Sequence, residues 1–400
     1  MIRRYIACIV AVLLSVAVGW SQTVDPAIIP PQSALEKAAV SDSLRVSIVT
    51  CNPGGEVYSM FGHTAVRVVD YHSGLDAVFN FGVFNESKSG FIYDFVKGET
   101  DYELRAETGQ FFFWRYSREG YGVYEQVLNL TKKECTNIMG KLTENVRPEN
   151  RIYRYNWLYD NCTTRAYQVI ASSIEGVLEY DSVFYPKCAR ELLHDYTRVD
   201  SWLSFGIDML LGEEIDRPLS SVQQMFLPKV LMERMNLVMV KKKENVMYPL
   251  VGQMLTVLEP TVARESDESQ MPMIVMTLLF LTVMFVSVMD MRKKRRSRWL
   301  DMTLMSLQGT VGILIAFLFL FSLHPGCDTN VLVFFLNPLW FIPAFCLLRR
   351  GRGEWMKWVV MAVLIVSVMT VLTFGQGLTP AIWMLVFTLL VRNGMNLFIK

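Results

Sequence analysis

The sequence predicts an α+β domain exported across a membrane, followed by an all-α bundle of about five spanning helices. Three observations carry this. Upstream of Pro272 the chain mixes alternating strand-like runs with amphipathic helices, and downstream it is almost continuously apolar. The N-terminus has a basic start and an apolar middle. Lys and Arg cluster on alternate flanks of the downstream apolar stretches. A chain of 400 residues, 52% hydrophobic and only 19% charged, is rich for a soluble protein and long enough for two or three domains. Its net charge of +1 gives no reason to expect nucleic acid as a partner.

Residues 1–22 read as a secretory signal: Arg3 and Arg4 start it, Ile6–Val18 is the apolar stretch, and Gly19-Trp20-Ser21-Gln22 is the exit. Cleavage is expected near Ser21 or Gln22; an uncleaved anchor would export the same downstream chain. Cys8 is followed by Ile9 and makes no lipobox. The exported domain is assigned to residues 23–265 and the transmembrane domain to 266–400. Export puts Cys51, Cys135, Cys162 and Cys188 where disulfides are permitted, but no framework spacing selects among the pairings.

Residues 24–44 form a polar leader punctuated by Pro26, Pro30 and Pro31. Leu44–Cys51 alternates as a strand does and ends at the turn Asn52-Pro53-Gly54-Gly55. His63–Val69 and Ala77–Val83 are strand-like, joined around Ser73-Gly74, and Gly122–Leu130 is another β-type run. Thr131-Lys132-Lys133-Glu134 has capping-box spacing and starts a helix across Cys135–Asn145. Tyr153–Tyr159 is extended and aromatic, and Asn161-Cys162 opens a helix to about Ser173, with Ala166, Val169 and Ile170 on one face. Residues 181–245 hold further helices broken at Pro186, Pro218 and Pro228, and Glu259–Gln270 is an acidic linker.

The apolar stretches are Met273–Met289, Met302–Leu323, Val331–Leu348, Trp358–Phe374 and the shorter Ala381–Val391. Arg292–Arg296 and Arg298 follow the first; Arg349, Arg350, Arg352 and Lys357 follow the third; Arg392 and Lys400 follow the last. The loops His324–Asn330 and Gly375–Thr379 carry no Lys or Arg. The positive-inside rule therefore places the preceding domain outside, in agreement with the signal segment.

The chemistry-bearing residues are His63, in Phe61-Gly62-His63-Thr64-Ala65, and Cys162, in Asn161-Cys162-Thr163-Thr164-Arg165. A thiol at a helix N-terminus beside an imidazolium has a lowered pKa, and the imidazole can then protonate a leaving group and activate an acceptor. Asn80, in Val78-Phe79-Asn80-Phe81-Gly82, is the candidate to fix the imidazole tautomer, with Asp94 and Glu99 in reserve. The oxyanion donors expected are the Cys162 N–H and Tyr58. Arg165, one turn along, is placed to meet a phosphate, and His324 in its uncharged external loop to line a lipid entrance. The plainer alternative is a buried helix cysteine and a satisfied strand histidine. Against it stand the small neighbours Ser59 and Gly62, and the polar groups at a helix start where a core wants none. His72 reads as a turn residue and His194 as helix surface; neither joins a metal-spaced set, so no metal or cofactor is expected. The Phe111–Trp114 run fits a lipid-touching surface or a buried strand equally well.

A histidine strand followed by Asn-Cys at a helix start resembles the circularly permuted papain-like (NlpC-type) fold. More closely, Phe61-Gly62-His63-Thr64-Ala65, Phe79-Asn80-Phe81-Gly82, Gln126-Val127-Leu128-Asn129-Leu130-Thr131 and Asn161-Cys162-Thr163-Thr164-Arg165 resemble the Lnb-type lipoprotein N-acyltransferases. The resemblance covers nearly the whole chain. It implies an inner-membrane enzyme with a periplasmic catalytic domain, a phospholipid acyl donor, diacylglyceryl-cysteine lipoproteins as acceptors, and Cys162 and His63 as catalytic residues. Two rival readings remain at this level: a membrane-anchored cysteine hydrolase of peptidoglycan peptides or lipid esters, and a non-catalytic anchored binding protein.

Overall fold

The computed structural model describes residues 29–54, 59–84, 89–180, 187–197, 201–243, 246–261, 270–347 and 354–399. The signal segment, Tyr58, residues 262–269 of the acidic linker, Arg349, Arg350, Arg352 and Lys400 lie outside the described residues. The chain divides into two units, Met1–Pro186 with Leu219–Glu265, and Lys187–Pro218 with Ser266–Lys400.

The first unit is α+β. Helix α1 (Gln32–Ala38) leads into β1 (Leu44–Cys51), β2 (His63–Asp70) and β3 (Leu75–Val83), a meander whose β-branched residues suit a pleated surface. Then come α2 (Phe91–Lys97), β4 (Asp101–Thr108), α3 (Gly109–Glu119), β5 (Val123–Leu128), α4 (Lys132–Asn145), β6 (Ile152–Arg154), α5 (Cys162–Ala171) and β7 (Val177–Glu179). After α6 (Ala189–Thr197) and α7 (Trp202–Leu210), which belong to the second unit, the chain returns through α8 (Pro228–Met235), β8 (Met239–Lys241), β9 (Met247–Pro249) and β10 (Val251–Leu258). One antiparallel sheet runs β10-β5-β1-β2-β3-β4-β6, and a small one runs β7-β8-β9.

Both faces of the large sheet are covered, and the period of two sorts its residues between them. Val46, Ile48, Val66, Val68, Ala77, Phe79, Leu104 and Ala106 face a core shared with α1, α4, α5 and α8. Val49, Cys51, Ala65, Val78 and Val123 face Phe112 of α3. By the same alternation His63, Asn80 and Glu107 project to the α3 face, and Thr64 to the α5 face. The capping box at Thr131 is formed: its Oγ1 accepts from Glu134 N–H, and Glu134 Oε2 accepts from Thr131 N–H at 2.7 Å. The Phe111–Trp114 run is helical, with Phe112 buried and Trp114 exposed, so neither sequence expectation for it describes it fully. A helical period splits four consecutive aromatics between core and surface.

The second unit is helical. Three of its helices, Met271–Lys293 (α9), Arg298–Phe321 (α10) and Trp355–Phe374, are long and apolar enough to cross a membrane by length and composition. The last of these lies within α13 (Glu354–Phe374), and α14 (Pro380–Asn396) runs alongside α9. Val331–Leu348, expected as one span, is instead broken into α11 (Leu332–Phe335), a 3₁₀ turn Pro338–Trp340 and α12 (Phe341–Cys346). Pro338 has no N–H to give, and Asn337 Oδ1 accepts from Leu339 N–H at 3.1 Å, which starts a new helix there. His194 also departs from its expectation as helix surface: its Nε2 meets Asp208 Oδ1 at 2.9 Å, drawn inward by a carboxylate that Arg190 Nη1 also binds at 2.7 Å.

Arg392, read as a basic flank of the last stretch, is fully buried. Its Nε donates to Asp301 Oδ1 at 2.7 Å and its Nη1 to Ser287 Oγ at 2.9 Å, while Asp290 Oδ2 lies 2.9 Å from Nη2. Asp301 also accepts from Arg296 Nε at 2.6 Å and Asn396 Nδ2 at 3.0 Å. Removing one partner of such a cluster strands the others in a low-dielectric interior. Asp301→Ala is therefore expected to cost about 3–5 kcal/mol, read as a lowered thermal midpoint of the full chain in detergent, with Asp301→Asn losing less.

Candidate active site

Cys162 is the first residue of α5, and the local sequence fixes that helix start tightly. Asn161 Oδ1 accepts from Thr163 N–H at 2.8 Å and Thr164 N–H at 3.0 Å, and Thr164 Oγ1 accepts from Asn161 N–H at 2.8 Å. Asn161 is itself held by its Nδ2, which donates to Trp157 O at 2.7 Å and Phe226 O at 3.0 Å. The caps serve the second and third N–H groups, so the first, that of Cys162, has no acceptor within the helix. Thr163 Oγ1 lies 3.2 Å from Thr64 Oγ1, which ties α5 to β2 beside His63. The half-buried thiol therefore sits at the positive end of a helix dipole, against the strand that carries the imidazole.

His63 opens β2, three residues before the β2–β3 ladder begins at Val66 and Phe79. Its Nε2 donates to Asn80 Oδ1 at 2.6 Å, which turns Nδ1 toward Cys162, and thiol and imidazole are hydrogen-bonded. Burial pushes the Cys162 thiol up, but the His63 charge, its hydrogen bond and the Thr64 N–H outweigh burial and hold the thiol below its ordinary range. Burial pushes the imidazole down, but the thiolate charge, the Cys162 hydrogen bond and Asn80 hold it above its ordinary range. The two shifts run in the directions that a thiolate–imidazolium pair requires.

Asn80 is buried, and its orientation has a cause. Its Nδ2 donates to Glu107 Oε1, and Glu107 is clamped by Arg115, with Nη1 on Oε2 at 3.1 Å and Nη2 on Oε1 at 3.0 Å. A carboxylate on one side of the amide selects the NH₂ for that side and leaves Oδ1 for His63. Glu107 is raised from its ordinary value by burial, which Arg115 opposes. The guanidinium of Arg115 also lies 5.4 Å from the Tyr116 ring centroid and 5.6 Å from that of Phe112. A polar line thus runs from Arg115 through Glu107, Asn80 and His63 to Cys162. Beyond Asn80, β3 is irregular: its pairing with β4 shifts register between Asn80 and Val83, and Gly82 has φ +88°. A Cβ at Gly82 would stand 3.6 Å from Cys162 Cβ, so glycine here serves both the left-handed backbone and the space beside the thiol.

The structure brings Cys162, His63 and Asn80 together. Arg165 is near, but its Nε and Nη2 donate to Asp160 at 2.6 and 2.7 Å, and its guanidinium lies 3.6 Å from the centroid of the Tyr153 ring. A lipid phosphate would have to compete with Asp160 for it. His324 belongs to the second unit, where its N–H donates to Ser322 Oγ at 3.3 Å. Asp94 lies on α2, and Glu99 pairs with Lys97 at 2.6 Å; Asn80 holds the position for which both were reserves. Glu107 and Arg115 were missed. The signal was there for Glu107: in Asp101-Tyr102-Glu103-Leu104-Arg105-Ala106-Glu107 the apolar residues alternate, as a strand requires. Among the described cysteines all are free thiols, Cys51, Cys135 and Cys188 included.

The chain matches the family model described as the Lnb N-terminal periplasmic domain over residues 32–195, and that described as the Lnb transmembrane domain over residues 264–400. His63, Asn80 and Cys162 all fall within the first match. No curated protein and no solved structure matches the chain.

The paired shifts set a pH dependence for simple alkylation. Iodoacetamide should label Cys162 with a midpoint below that of an ordinary thiol, because the thiolate persists as pH falls until the lowered pKa is crossed. His63→Ala removes the stabilising charge and leaves burial, so the midpoint should move to higher pH. An unmoved midpoint would contradict the ion pair.

Proposed function

The chain belongs to the Lnb-type lipoprotein N-acyltransferase family, and from that premise we propose that it transfers an acyl chain from a phospholipid to the α-amine of a diacylglyceryl-cysteine lipoprotein, with Cys162 as nucleophile. The observation that carries the residue assignment is the capped helix start that presents a lowered-pKa thiol to a strand-borne imidazole inside the periplasmic-domain match. We place the protein in the inner membrane with this domain on the periplasmic side, supported by the basic flanks of the apolar stretches.

The reaction runs in two halves. The Cys162 thiolate attacks the ester carbonyl carbon of the phospholipid, and the carbonyl π pair moves onto oxygen. When that pair returns, the C–O ester bond breaks, the departing lysophospholipid oxygen takes the proton from His63 Nδ1, and a thioester remains. The lipoprotein amine then attacks the thioester carbon, His63 accepts the amine proton, and the C–S bond breaks to restore the thiolate. Asn80 holds the ring so that one nitrogen serves both transfers. No step requires a metal or redox group. The covalent tie to membrane-capable helices keeps the domain at its donor, which raises effective concentration without tight soluble binding.

Intact-mass analysis of a reporter lipoprotein tests this, in cells that lack their own N-acyltransferase. Wild type should add one acyl chain to the N-terminal cysteine and Cys162→Ala none; an unmodified reporter beside well-expressed wild type would favour hydrolysis. The acyl-enzyme half-reaction should follow a bell. It falls at low pH as the thiolate protonates and at high pH as the imidazolium loses the proton needed by the leaving group. Asn80→Ala removes one contribution that raises His63, so its alkaline limb should move to lower pH, measured by lysophospholipid release.

A further inference from the structure

The Tyr153 hydroxyl has no role in the mechanism as described, yet its setting is unusual. Tyr153 is only 7% exposed, and among the described residues its hydroxyl has no hydrogen-bond partner. A buried, unpaired hydroxyl costs stability and calls for a reason. It also borders the same small space as the Cys162 side chain. The position a Cβ would take at Gly82 is 3.6 Å from Cys162 Cβ and 3.9 Å from Tyr153 Oη, the nearest atoms outside Gly82 and its two chain neighbours. The missing side chain of Gly82 thus leaves an atom-sized space bordered by both the nucleophile's residue and an unpaired O–H.

The ring is fixed in place. Tyr153 sits in β6, paired with Tyr102 of β4, and its ring meets Phe81 edge-on with centroids 6.4 Å apart. The Arg165 guanidinium, itself held by Asp160, lies 3.6 Å from the ring centroid. A cation on the π face draws electron density from the phenol and makes its O–H a stronger donor. Burial raises the hydroxyl well above its ordinary value, so it stays protonated through the working pH range.

We propose that Tyr153 is a catalytic residue, its hydroxyl donating to the oxyanion formed when Cys162 attacks an acyl carbonyl, with the Cys162 N–H as the second donor. This rests on the reading of Cys162 as nucleophile. In the tetrahedral adduct the carbonyl π pair resides on oxygen, where the two donors meet it; as the pair returns and the ester C–O bond breaks, those hydrogen bonds weaken. The hydroxyl is unpaired in the resting protein because its partner exists only during reaction. Arg165 then acts through Tyr153 as a positioning residue, in place of the direct phosphate contact its sequence position suggested.

Tyr153→Phe deletes only the unpaired hydroxyl and keeps the ring. Two reactions of the full-length protein separate its effects. Acylation of Cys162 by a p-nitrophenyl ester passes through an oxyanion; alkylation by iodoacetamide does not. Tyr153→Phe should slow acylation by about 10²-fold, leave alkylation within about twofold, and leave the thermal midpoint unchanged or raised. Unchanged acylation, or equal loss in both reactions, would overturn the assignment. Cys162→Ala run in parallel with the reporter lipoprotein separates the two levels: retained acyl transfer would overturn the nucleophile and this proposal together. Loss with Cys162→Ala beside full acylation in Tyr153→Phe would overturn this proposal alone.

Discussion

The hydrogen bond between His63 and Asn80 is the constraint on which the site depends. An imidazole beside a thiol can take several ring orientations, and only one presents a nitrogen to sulfur while the other is held by an acceptor. Asn80 selects that orientation, and Glu107 selects the orientation of Asn80 by receiving its NH₂. Burial raises Glu107 above its ordinary value, and the two Arg115 hydrogen bonds oppose that shift. Each member answers the question of which way its neighbour points, and the line ends at a group fixed by two hydrogen bonds and an aromatic face.

The sheet makes that line possible. Because side chains alternate, His63 of β2, Asn80 of β3 and Glu107 of β4 reach the same face, and α3 closes that face with Arg115. The opposite face is apolar and seats α5, so the thiol arrives from the far side of the sheet at the end of β2. The β3–β4 pairing is irregular where the two approaches meet. The shifted register after Asn80 and the left-handed Gly82 open room beside Cys162 that a regular strand would fill.

Much of this was legible in the sequence, because the relevant signals are local. The β1 and β2 runs alternate cleanly, the capping spacings at Thr131 and Asn161 are chemical statements about helix starts, and the polar cluster around Cys162 contradicts a core environment. Asn80 could be named because it interrupts an apolar strand. The strand that carries Glu107 was legible from its alternation, but the contacts of Glu107, Arg115 and Tyr153 were not. Their roles depend on which strands are neighbours, and the β3–β4 and β4–β6 pairings join segments whose register no single-strand pattern specifies. The broken third apolar stretch failed for a different reason: hydropathy sums over a window, whereas Asn337-Pro338 acts at one peptide group.

The central claim is that the Cys162 thiolate takes an acyl chain from a phospholipid and holds it as a thioester. The most direct measurement is the intact mass of the purified enzyme after incubation with phospholipid micelles and no amine acceptor. The account predicts a gain of one acyl chain, mapped to the peptide containing Cys162, released by neutral hydroxylamine and accompanied by an equal amount of lysophospholipid. Release of lysophospholipid in a single turnover with no adduct on Cys162, or an adduct that survives hydroxylamine, would contradict it.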